Sequence, residues 1–117
     1  MVERIGQTRL PLVVLSSERT SSAAEIFIAA LKAAGRATII GTQTCGCVLA
    51  IRTRHNLPDG GLLDVSELDY KTSAGIRLER NGIRPDETVA IERNDLYAGR
   101  DRTMESALRQ LTRLQER

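Results

Sequence analysis

The stretch LPLVVLSS at residues 10–17 is apolar and rich in branched side chains until its closing serines, the pattern of a strand buried on both faces. The period then changes. Ala24, Phe27, Ile28 and Leu31 recur at helical spacing and Gly35 supplies a stop, so the spacing predicts a helix over 22–34. ATIIG at 37–41 reads as a second buried strand. A strand, a helix and a strand in this order predict parallel neighbours joined by a right-handed crossover.

Further along, 45–54 alternates loosely and ends in charge, as a strand running out into solvent would. NLPDGG at 56–61 is a turn cluster. LLDVSELDYKT and IRLERNG predict two strands joined around 73–75 as a hairpin. Pro85 biases Arg84 toward an extended conformation and marks another turn. Asp101 or Thr103 then opens a closing amphipathic helix, with Met104, Ala107, Leu108, Leu111 and Leu114 as its apolar stripe. The first strand should lie mid-sheet, where it needs neighbours on both sides. That demand points to self-assembly or to a larger domain of which 1–117 is one part.

Composition narrows the function classes. The chain is 41% apolar and 27% charged, an ordinary globular balance. Aromatic residues make up only 3%, and the net charge of +2 comes from interspersed charges. Both argue against a nucleic-acid partner, which favours stacking rings and concentrated positive charge. No apolar run reaches the roughly 20 residues of a membrane span, and no apolar signal core precedes residue 10. Cys45 and Cys47 are the only cysteines. A bridge across one intervening residue would be strained, and two thiols with one histidine make a poor zinc site. Small buried thiols on a strand are the expectation, with no metal and no cofactor.

Candidate chemistry begins at TSSAAEIF. Ser22 and Glu25 have the spacing of a capping box, in which the hydroxyl and the carboxylate each satisfy a backbone N–H of the first helical turn. The same position suits a nucleophile. A hydroxyl at a strand-to-helix turn meets the positive end of the helix dipole and unpaired N–H groups able to hold a developing oxyanion. The spacing alone leaves both roles open.

Six segments in order then resemble one family. PLVVLSSERTSSAAEIF, GRATIIG, GTQTCG, LPDGG, DYKTSAG and GIRPD, spanning residues 10–86, look like the serine motif and following elements of the C-terminal processing peptidases, or tail-specific proteases. The resemblance implies an α/β fold of the ClpP/crotonase-like type, with a mixed β-sheet, a β-α-β crossover, a hairpin and a C-terminal amphipathic helix. It implies Ser22 as the nucleophile of a serine-type endopeptidase and the Ala23 backbone N–H as an oxyanion-hole donor. The partner so implied is a polypeptide substrate, and the compartment so suggested is periplasmic or exported.

One departure matters. Family members with a Ser-Lys dyad carry lysine 25 residues beyond the serine, and here that position is Cys47. A thiol must ionise before it accepts a proton, and burial opposes that. Lys32 lies about ten residues along the helix from Ser22, nearly three turns away. Lys71 sits at a strand end. His55, eight residues past Cys47, falls about 25 Å along an extended segment and reads as an exposed loop residue. A second scheme resembling some family branches takes its base from an upstream segment. The glycine-rich oxyanion segment of the family also precedes the strand at 10–15. Residues 1–117 are therefore expected to be a single partial domain, the C-terminal part of a peptidase catalytic domain, inactive alone. It would associate with the upstream part or with a second copy. The alternative is a non-catalytic ligand- or peptide-binding domain on the same fold. Asp86 is expected to be a turn residue or an arginine partner, and 59–61 a simple turn.

Overall fold

The structure is a computed structural model that describes residues 9–116. Its elements run β1 (Val13–Ser16), α1 (Ala23–Ala33), β2 (Thr38–Gly41), β3 (Ala50–Asn56), β4 (Leu62–Leu68), β5 (Glu87–Thr88), α2 (Arg93–Tyr97) and α3 (Arg102–Gln115). Strands β1, β2 and β5 form a parallel sheet in the order β1-β2-β5, with Val13 opposite Thr38 and Ile40 opposite Glu87. Strands β3 and β4 form a separate antiparallel pair. Parallel and antiparallel pairing, the β-α-β unit and the closing helix are all present, distributed over two sheets.

The central strand is β2, not β1. Ile39 and Ile40 are both 0% exposed, and successive strand residues face opposite sides of a sheet. Ile39 joins Ile28 of α1, Val48, Leu78 and Ile83 in one buried cluster. Ile40 lies on the other face, where α3 packs against β1 and β2. Burial of each isoleucine contributes about 1.5–3 kcal/mol, which makes β2 the anchor of the molecule. β1 is an edge strand among the described residues, and its Leu15 is 38% exposed.

Both helices turn differently from their apolar patterns. In α1, Phe27 is 59% exposed, whereas Glu25 and Ile28 are buried. In α3, Asp101 caps the first turn by accepting the Met104 N–H at 2.9 Å. The buried side is Thr103, Ser106 and Ala107, while Met104 and Leu108 are 44% and 57% exposed. Small residues let α3 approach the sheet closely. Ser106 donates its hydroxyl to the Glu87 carboxylate of β5, which fixes that approach.

The hairpin lies one segment earlier than expected. Around 57–61, the Leu57 N–H donates to the Gly61 carbonyl at 2.8 Å and the Gly61 N–H to Asp59 Oδ1 at 2.9 Å, closing a turn between β3 and β4. A bidentate Arg54–Asp64 pair crosses the two strands. The segment 76–82 is drawn inward instead, because Leu78 belongs to the core and its carbonyl receives the Asn81 and Gly82 N–H groups. A single Lys71–Arg77 bridge remains of the second hairpin. Every residue of β3 and β4 is exposed. The hairpin thus projects, and the radius of gyration is 18.3 Å against about 13 Å for a compact domain of this size.

Glu25 is the polar centre of the fold. Its carboxylate is fully buried and accepts four hydrogen bonds. Oε1 takes the Thr44 hydroxyl at 2.5 Å and the Gly46 N–H at 2.7 Å. Oε2 takes the Cys47 N–H at 2.9 Å and the Ser22 N–H at 3.1 Å. Thr44 Oγ1 in turn accepts the Ile83 N–H at 2.8 Å. Two glycines make the approach possible. A side chain on Gly41 (φ 137°) would overlap the Ser16 carbonyl, and one on Gly46 (φ 71°) would meet the Arg80–Gly82 backbone at 2.9 Å.

Burial pushes the Glu25 carboxyl up, but the bonds from Thr44, Cys47, Gly46 and Ser22 outweigh it and hold the group below the ordinary glutamate value. A depressed carboxylate contributes stability that is complete above its unfolded pKa and lost as pH falls through the folded one. Acidification through and below the ordinary glutamate range should therefore lower the denaturation midpoint of the wild type. Glu25→Ala should cost about 3–5 kcal/mol, since it strands buried donors, and should flatten that acid dependence. Urea titrations of both proteins across pH check the pair of outcomes.

Candidate active site

The site grows from the loop between β1 and α1. Thr20 N–H donates to the Ser17 carbonyl at 2.9 Å and Ser17 N–H to Thr20 Oγ1 at 3.1 Å, turning the chain sharply at the carboxyl end of β1. Ser22 follows with φ 56° and ψ −127°. These angles are those of the first central residue of a type II′ turn, a place glycine ordinarily fills. A non-glycine residue costs roughly 1–3 kcal/mol there, and such outliers gather at functional sites. The surroundings over-determine the strain here, because the Ser22 N–H is shared between the Cys47 carbonyl at 2.9 Å and Glu25 Oε2 at 3.1 Å.

The serine side chain is left over from this arrangement. Ser22 and Glu25 form a capping box, with the Ser22 side chain turned toward the Glu25 N–H, although that contact falls short of a side-chain cap hydrogen bond. The Glu25 N–H goes to the Ser22 carbonyl at 2.9 Å instead. Ser22 is exposed. The Ala23 N–H, first amide of an 11-residue helix, donates to no group among the described residues. An exposed hydroxyl and a free amide therefore stand together at the positive end of the α1 dipole.

The structure brings Cys47 to Ser22 but not in the expected form. Cys45 and Cys47 are exposed loop residues rather than buried thiols on a strand, and they are joined as a disulfide. The cause is local. The backbone of 44–49 bonds to Ile83, Thr20 and the carboxylates of Glu25 and Glu79, so no ladder can form before Ala50. A disulfide sulfur accepts no proton usefully, and the Cys47 side chain is thereby withdrawn from base chemistry.

The other candidate bases are engaged elsewhere. Lys32 pairs with Asp86 at 2.9 Å and donates to the Arg84 carbonyl at 2.6 Å. Asp86, expected as a turn residue or arginine partner, is thus a lysine partner. It also accepts the Ile39 N–H at 2.8 Å. Burial raises its pKa, and the Ile39 and Lys32 bonds bring it below the ordinary value. Lys71 is exposed. His55 lies on β3, not in a loop, 3.6 Å from Glu67. Among the described residues, no cluster of histidine, cysteine and acidic side chains could hold a metal ion, and no helix is long and apolar enough to cross a membrane.

A cavity of about 650 Å³ opens at the carboxyl ends of β1 and β2, bounded by Ser17, Glu18, Arg19, Thr42, Ile91 and Leu96. Crevices at the carboxyl ends of parallel strands are where open α/β sheets bind ligands. Two contributors escaped sequence reasoning. Thr44 and Glu79 show no catalytic spacing, although the Gly41-x-x-Thr44-x-Gly46 pattern marks the loop that Glu25 holds.

Comparison with known proteins identifies the family. Residues 3–89 match the model of Peptidase family S41. The carboxyl-terminal-processing protease of Picosynechococcus sp. is 41% identical over 90 residues, covering 75% of this chain and 22% of that protein. Tricorn protease homolog 1 of Streptomyces coelicolor is 33% identical over 101 residues, covering 86% of this chain and 10% of the homolog. Among solved structures, the tricorn protease superposes with a TM-score of 0.84 at 27% identity, over 92% of this chain and 11% of that one. The photosystem II D1 C-terminal processing protease gives 0.61 at 38% identity, over 68% and 20%. The chain spans about a fifth or less of the length of these relatives. A family match over most of the chain, with an α/β fold shared by solved members, places this chain in Peptidase family S41.

Proposed function

We propose that the chain carries the nucleophile of a serine-type endopeptidase. The observation that carries this reading is the exposed, unbonded Ser22 hydroxyl on a strained backbone, beside the free Ala23 N–H at the start of α1. Ser22 Oγ attacks a peptide carbonyl, and its proton passes to a base and then to the leaving amine. The tetrahedral oxyanion accepts the Ala23 N–H, and the intermediate collapses to an acyl-enzyme that water hydrolyses. Preorganised amides of this kind contribute about 3–4 kcal/mol of transition-state stabilisation each.

The base comes from outside the described residues. Lys32, Lys71, His55 and Cys47 have other placements, and the second oxyanion donor has the same external origin. The polypeptide substrate approaches Ser22 from the cavity at the carboxyl ends of β1 and β2, which Ser17, Glu18 and Arg19 line and Ser22 itself does not. Among the described residues the hairpin is uncovered and the outer edge of β1 open, which favours association with a second copy or with a preceding part of the same domain. Light scattering on the 117-residue chain should then give a mass above 12.9 kDa, or the mass of a complex once preceding sequence is supplied. A stable isolated monomer with both sheets open contradicts it.

Reaction of the full-length protein with a serine-directed phosphonate should label Ser22, and Ser22→Ala should abolish the adduct and lower peptide-hydrolysis kcat at least about 10³-fold. No adduct and no peptide hydrolysis, with the cellular activity of the full-length protein unchanged in Ser22→Ala, would leave a non-catalytic binding domain. Ser22→Gly should also lose the adduct while stabilising the fold by about 1 kcal/mol, since glycine adopts φ 56° without strain. Calorimetry of that variant reads the strain independently of activity.

A further inference from the structure

Beyond the serine chemistry, the loop Cys45-Gly46-Cys47 has features that the proposed reaction does not use. All three residues are held by backbone contacts. The Cys45 N–H donates to the Thr20 carbonyl at 2.9 Å, and the Gly46 and Cys47 N–H groups donate to Glu25. The Gly46 carbonyl accepts the Arg80 N–H at 2.7 Å, and the Cys47 carbonyl accepts the Ser22 N–H at 2.9 Å. The two Cα atoms are 5.3 Å apart, within the range a disulfide spans. Both residues are exposed.

We propose that Cys45 and Cys47 are a reversible dithiol–disulfide site whose state sets the geometry of the Ser22 backbone. The gating half of this inference rests on the nucleophile reading of Ser22; the redox half does not. A structural disulfide gains stability by closing a long loop in the unfolded chain. A bridge over a single glycine closes almost none, and the folded loop is already fixed by five backbone hydrogen bonds. The bond is therefore dispensable to the fold and accessible to exchange, the combination found in labile disulfides.

The reacting partner is a low-molecular-weight disulfide or dithiol. In the oxidising direction, one cysteine thiolate attacks a sulfur of the external disulfide and expels a thiolate. The second cysteine then attacks the mixed disulfide and expels the other. The pair gives up two electrons to the partner and two protons to solvent or to the departing thiolates. A dithiol reverses each step. Coupling to Ser22 is direct, because bridging the side chains restrains the Cys47 backbone, and the Cys47 carbonyl holds the Ser22 N–H. Releasing the bridge removes a covalent restraint on that carbonyl and leaves its hold on the serine amide, shared with Glu25, to hydrogen bonds alone.

The test equilibrates the full-length protein in buffers of varied reduced-to-oxidised glutathione ratio. Alkylation of the tryptic peptide 37–52 should show both thiols appearing together in one two-electron transition. The Ser22 phosphonate-labelling rate should change at least fivefold across the same transition. The doubly substituted Cys45→Ser, Cys47→Ser protein should label at a rate independent of the buffer. Cysteines that stay reduced at every ratio, or stay bridged in excess dithiol, overturn the site. A complete thiol transition with constant labelling overturns the gate. Should Ser22 fail to label in either state, hydrogen exchange of residues 20–26 decides. Altered exchange supports the coupling and removes only the peptidase reading, whereas unchanged exchange overturns the coupling.

Discussion

The buried carboxylate of Glu25 ties together every part of this molecule that bears on chemistry. Four donors from two separate stretches of chain converge on two oxygens. A carboxylate with no exposed surface is expensive unless its acceptor sites are filled, and here the filling groups are the ones that must be placed. Ser22, Thr44, Gly46 and Cys47 are each positioned by satisfying the same charge. Loss of one contact leaves an unpaired buried group, so the arrangement holds together cooperatively.

The segments that carry the family resemblance meet each other in space through this network. Gly41 admits the Ser16 carbonyl, Thr44 bridges Glu25 to Ile83, and Gly46 accepts the close passage of Arg80 to Gly82. Asp86 binds the Ile39 amide and Lys32, and Tyr70 packs on the buried cluster. The pattern shared with Peptidase family S41 is thus largely a set of mutual structural contacts. Ser22 and Ala23 differ in standing exposed at the start of α1, where the Ala23 N–H donates to no group among the described residues.

Strain and freedom coincide at Ser22. Its backbone sits where glycine belongs, locked by two acceptors on one N–H, while its hydroxyl faces the first helical turn without a cap hydrogen bond. At φ 56° the Ser22 carbonyl accepts the Glu25 N–H at 2.9 Å. The turn that costs energy thus weakens the hold of the capping box on the serine oxygen.

Local pattern determined the β-α-β unit, the Asp101-capped closing helix, the turn at 59–61 and the family, because each depends on neighbours in sequence or on motif order. Periodicity could not fix which side of α1 and α3 faces inward, since Glu25 and Ser106 are buried by partners far along the chain, while Phe27 and Leu108 find none. Nor could it choose between two possible hairpins. That choice turned on Leu78 being claimed by the core. The Cys45–Cys47 bridge and the free Ser22 hydroxyl were likewise decided in three dimensions. Both arise from how the loop after β2 folds back onto one buried charge, and a long-range contact of that kind leaves no periodic trace in the chain.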